Sequence, residues 1–127
     1  MTRFLWICLG GAAGTGARYL LSNWAIAALG AAFPWGTLLV NVVGSFLLGF
    51  LMQAGASSPS FSPTHRLALT TGVVGGFTTY STFNYETIRF VQNGSWPLAL
   101  VNVVVMLVVC FLAGFAGIAA GRWVFGV

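Results

Sequence analysis

The stretch from Thr71 to Arg89, T-G-V-V-G-G-F-T-T-Y-S-T-F-N-Y-E-T-I-R, limits what this chain can become more than any other. It lies inside the third of four long apolar segments, yet it carries Gly72, Gly75 and Gly76, then hydroxyls at Thr78, Thr79, Ser81 and Thr82. In hydrocarbon an unsatisfied polar group is costly, so a polar, glycine-rich helix at membrane depth must face protein, water or an ion. The functional site is expected there.

The rest of the chain places that run in a bilayer. Of 127 residues, 58% are apolar and 5% charged, against about a quarter charged in soluble domains. The resulting fold class is an all-α membrane protein with four transmembrane helices, expected at about 4–29, 36–54, 66–91 and 97–124 in a single domain, 1–127. The ionic residues are Arg3, Arg18, Arg66, Arg89, Arg122 and Glu86. Scattered arginines form no phosphate-tracking patch, which argues against nucleic acid as a partner. Cys8 and Cys110 fall in apolar segments and act as small hydrophobes. A signal peptide at Met1–Leu9 is disfavoured because the apolar run continues to Leu29.

In the first segment, Gly10, Gly14 and their small neighbours make a stripe on which another helix can pack closely. Arg18 comes next, with two readings: a guanidinium snorkelling to the interface, or a vestibule residue that attracts anions. Phe33-Pro34-Trp35-Gly36 is an interfacial turn. On the second helix Asn41, Gly44, Ser45 and Leu48 share a face, and Asn41 is either interhelical glue or a pore-facing donor. Gly55–Thr64 reads as an extramembrane loop broken by Pro59 and Pro63. His65 has no metal-ligating companions at suitable spacing.

In the third segment Gly75-Gly76 beside Thr78-Thr79 offers a place for the helix to unwind near its middle. Freed carbonyls there would suit a cation such as Na+; the other reading is a kink repaired by threonine hydroxyls. Tyr80 and Phe83 stand on one face, as packing or as ring edges whose positive rim can assist a small anion. Glu86 and Arg89 read as an interfacial ion pair. Ser95 can cap, and Pro97 open, a fourth helix on which Asn102, Met106 and Cys110 mark one stripe.

Four spans leave Arg3, Arg66 and Arg122 on one side against Arg89 and Arg18 on the other. So weak a bias permits insertion both ways, and antiparallel copies would then mimic an inverted repeat. The run Gly75–Thr87, the preceding Thr70-Thr71-Gly72, the segment Pro34-Trp35-Gly36-Thr37 to Asn41, and the glycine-rich run ending at Arg18 resemble the CrcB/Fluc fluoride channels over essentially the whole chain. That resemblance implies an antiparallel, dual-topology homodimer in the bacterial inner membrane, exporting fluoride passively and not acting as an enzyme. It implies a structural Na+ held by backbone carbonyls of Gly75 and Thr78 from both subunits. Asn41 would be the pore-lining amide, Ser81 and Thr82 the hydroxyl positions, and Tyr80 and Phe83 the ring pair, with Tyr80 standing where the family has phenylalanine.

The residues suit that chemistry. Fluoride is tightly hydrated and needs donors that replace water in succession, while a lone Lys or Arg side chain at the centre would bind it too tightly to release. A proton-coupled exporter resembling the small multidrug resistance transporters is the alternative, though the first helix lacks their carboxylate. A non-transporting accessory subunit is another.

Overall fold

The structure is a computed structural model that describes residues 1–57 and 62–126. It is built of helices alone among those residues. Helix α1 spans Thr2–Leu29 and stops at Gly30, whose positive φ of 84° turns the chain while its N–H still reaches the Ile26 carbonyl. Helix α2 spans Trp35–Ser57, entered through Pro34 with the Phe33 and Trp35 rings 4.9 Å apart. The second helix thus continues through Gly55 and Ser57, which the sequence pattern assigns to a loop; Pro59 lies outside the described residues.

The third rod is composite. A short helix α3, Pro63–Leu67, opens on Ser62, whose hydroxyl accepts the His65 N–H at 3.2 Å. It widens into a π-helical stretch, Ala68–Val74, and closes with α4, Gly75–Phe77. Thr78 and Thr79 are non-helical, and α5 resumes over Tyr80–Gln92. A turn at Asn93-Gly94 leads into α6, Trp96–Phe125, with Pro97 in its first turn. Ser95 makes no side-chain cap; its N–H closes the turn on the Phe90 carbonyl instead.

Two glycine seams hold the rods together. Helix α1 packs on the third rod, and α2 packs most extensively on α6. A Cβ added at Gly76 would lie 2.5 Å from the Gly11 carbonyl oxygen, and one at Gly72 2.8 Å from that of Ile7. On the other seam a Cβ at Gly49 would stand 2.5 Å from the Gly114 carbonyl oxygen. Backbone therefore meets backbone at both, the mode by which helices associate when lipid supplies no hydrophobic drive.

The apolar surface faces outward. Phe4, Leu5, Leu9, Tyr19, Leu20 and Trp24 on α1, and Phe111, Leu112 and Phe115 on α6, are all more than half exposed. The inside is small, with Leu38, Phe83 and Met106 as its buried apolar cluster. Helices α2 (Trp35–Gly55, mean hydropathy 1.8) and α6 (mean hydropathy 2.8) are both long and apolar enough to cross a bilayer.

Candidate functional site

The chain leaves helical geometry at Thr78 (φ −79°, ψ 159°) and Thr79 (φ −152°, ψ 117°), while Gly75 and Gly76 remain helical. The Thr78 N–H completes the last regular bond, to the Val74 carbonyl at 3.0 Å. In an unbroken helix the Thr79 N–H would go to Gly75. It goes instead to Asn41 Oδ1 at 2.8 Å, and Asn41 Nδ2 donates to the Thr79 carbonyl at 2.9 Å. A carboxamide carries its donor and acceptor side by side, so one side chain from α2 satisfies both backbone groups of one extended residue, as a neighbouring strand would.

Thr79 also caps α5. Its hydroxyl accepts the Thr82 N–H at 3.3 Å, donates to Thr82 Oγ1 at 3.0 Å, and lies 3.4 Å from Ser81 Oγ. Capping at this position restarts the helix and points the N-terminal N–H groups of α5 toward the break. From the opposite side α1 supplies two donors. Thr15 Oγ1 reaches the Gly76 carbonyl at 3.4 Å, and Arg18 Nη1 reaches the Thr78 carbonyl at 3.2 Å. The Arg18 guanidinium thus turns inward to the carbonyl end of a helix, where a cation is favoured.

A groove of about 750 Å³ runs along this break between α2, the third rod and α6. Asn41, Gly75, Thr78, Tyr80 and Phe83 all line it, as do Gly44, Ser45 and Leu48, the face that helical spacing placed with Asn41. The two rings form an edge-on pair, with centroids 5.7 Å apart and planes at 60°. Phe83 is buried, whereas Tyr80 is 77% exposed on the open side. Ser81 and Thr82 are also exposed and stand off the groove, joined to it only through the Thr79 hydroxyl. On α6 the stripe is mostly sulfur: Asn41 Nδ2 lies 3.5 Å from Met106 Sδ, and Cys110 Sγ 3.7 Å from the same atom.

Glu86 departs from the expected ion pair. Its Oε1 accepts the Thr37 hydroxyl at 2.7 Å, tying α5 to α2 in place of a bridge to Arg89. One residue on, Thr87 Oγ1 donates to the Phe83 carbonyl and accepts Asn102 Nδ2, both at 2.8 Å. The sequence pattern placed Thr79 at the unwinding point but gave it no capping role, and gave Thr37 no role of its own. A threonine immediately before a renewed helical run is an N-cap signal that pointed to Thr79; nothing local marks Thr37, whose partner is 49 positions away.

Taken together these features define a helical membrane protein with a polar breach in one rod, lined by an amide, backbone and two aromatic rings. The chain belongs to the CrcB family: the family model described as "CrcB-like protein, Camphor Resistance (CrcB)" matches residues 5–118. A relative from Sorangium cellulosum, named fluoride-specific ion channel FluC, is 57% identical over 122 residues, covering 96% of each chain. Relatives of the same name from Anaeromyxobacter sp. (52% identical; 99% of this chain, all of the relative) and Geobacter sulfurreducens (47%; 96% and 98%) cover comparable lengths. The shared name describes a channel, not an enzyme.

Proposed function

We propose that this chain is a passive, fluoride-selective channel of the bacterial inner membrane, crossing it several times and working as an antiparallel, dual-topology homodimer. The observation that carries the reading is the Asn41 amide. One of its N–H groups is committed to the Thr79 carbonyl, while the other faces only the thioether of Met106, at 3.5 Å, inside the groove that Tyr80 and Phe83 line. A thioether is a weak acceptor. Fluoride, a far stronger one, takes that N–H, and the positive ring edges of Phe83 and Tyr80 supply further weak contacts without a fixed charge to retain it. Ser81 and Thr82, exposed beside the break, offer hydroxyls for the next exchange of partners. Arg18 raises the local anion concentration at the break.

The open groove and the exposed Tyr80 support a second copy completing the pathway, since one chain leaves the groove unwalled on that side. The same reading covers a structural Na+. The Gly75 carbonyl has lost its helical donor to Asn41, and the Thr78 carbonyl retains one lone pair beside Arg18. These are hard oxygen donors suited to Na+, and two chains would supply four of them. The cation's contribution is to pin the two broken rods together; passage of the anion is the work of Asn41 and the rings.

Fluoride efflux from proteoliposomes, followed with a fluoride electrode and with chloride in parallel, tests the reading. Rapid fluoride efflux without chloride efflux, insensitive to an imposed proton gradient, is expected. Chloride passing at the same rate would overturn selectivity, and dependence on the proton gradient would overturn passive conduction.

A further inference from the structure

Two acceptor atoms are sealed inside the corner where α2, α5 and α6 meet. Glu86 Oε2 and Asn102 Oδ1 have no accessible surface and no hydrogen-bond donor among the described residues. Glu86 is the only acidic residue of the chain, and Asn102 is 0% exposed. Their other polar atoms are committed, Glu86 Oε1 to the Thr37 hydroxyl and Asn102 Nδ2 to the Thr87 hydroxyl. Turning the Asn102 amide over would give up its bond to Thr87, whose hydroxyl hydrogen already goes to the Phe83 carbonyl. A buried acceptor left without a donor bears the full cost of its lost hydration, and more when charged.

Whatever satisfies them must be small and must carry hydrogens. A second copy of the chain cannot reach atoms sealed within one protomer. Fluoride is itself an acceptor and is repelled by both. Water meets the requirement, because it holds two to four polar partners and such molecules are a regular part of buried polar clusters. We infer that the Thr37–Glu86–Thr87–Asn102 cluster is a hydration site, holding internal water that donates to Glu86 Oε2 and Asn102 Oδ1.

The test is water-edited solid-state NMR of the full-length protein in fluoride-free lipid bilayers. Magnetisation transfer from water to the Asn102 side chain is expected to be several-fold faster than to Val40, which is as fully buried but apolar. Transfer no faster than to Val40 overturns the inference. Chemical shifts at Glu86 and Asn102 that move when Na+ is replaced by choline also overturn it, by assigning a cation. Asn102→Leu should slow transfer to Glu86, and unchanged transfer there counts against a shared site. If that variant fails to fold, Asn102→Ser keeps a polar group with added room and should preserve the transfer; its loss at Glu86 would refute the assignment. None of these readouts requires conduction, so they stand apart from the efflux assay.

Discussion

Replacing Asn41 with alanine removes both bonds that hold Thr79 extended, the 2.8 Å bond from its N–H and the 2.9 Å bond to its carbonyl. Thr79 is only 8% exposed, so water does not take over either group freely. Two net hydrogen bonds at roughly 1 kcal/mol each, plus part of the 1–3 kcal/mol penalty for each buried group left unpaired, give a loss of about 2–5 kcal/mol. The assay is equilibrium unfolding in lipid–detergent micelles, combined with hydrogen exchange of the amides from Thr79 to Phe83. Exchange there should accelerate in parallel with the lost stability, while the α2–α6 seam around Gly114 stays protected. A loss below about 0.5 kcal/mol, within the range of an ordinary surface change, with exchange unaltered, would refute the claim that Asn41 supports the break. Because this residue is a strut as well as a donor, loss of flux in the variant cannot by itself separate a channel from a scaffold.

Tyr80 separates them better, since the ring is exposed and its hydroxyl has no partner within the protomer among the described residues. Tyr80→Phe should leave stability within about 0.5 kcal/mol and retain fluoride efflux; abolished efflux would place the hydroxyl in the pathway. Arg18→Gln removes the positive charge next to the Thr78 carbonyl, and efflux at low ionic strength should fall by about tenfold or more while its salt dependence flattens. Unchanged efflux would show that Arg18 serves only to brace the break. Gly76→Val drives a side chain into the Gly11 backbone and should destabilise by about 2 kcal/mol or more, read in the same unfolding assay; wild-type stability would mean that the α1 seam is loose.

Helical content and outward apolarity could be read from composition because a chain with so little charge and such long apolar runs has few other ways to satisfy its backbone. Spacing sufficed to place Asn41, Gly44, Ser45 and Leu48 on one face of α2, and all four line the groove. The glycine runs signalled close packing, which Gly72 and Gly76 carry out against α1. Beyond that the signals were local and the structure is not. Gly75 and Gly76 look like the flexible point, yet the backbone departs at Thr78 and Thr79, where Asn41 captures the Thr79 N–H. Glu86 and Arg89 are neighbours on a helix, but the carboxylate finds a hydroxyl on α2, because Thr37 is brought beside it by packing that no short window reveals. Arg18 likewise carries no sequence mark that it turns inward to the Thr78 carbonyl.

The tie between Asn41 and Thr79 bears on how such a protein is made. The third rod cannot adopt its broken form alone, since the group that completes it belongs to α2 and the donors that cover its carbonyls belong to α1. Synthesis from the N-terminus delivers α1 and α2 before it, so both partners precede the rod that depends on them. Moving the third rod to the front of the chain by circular permutation would reverse that order.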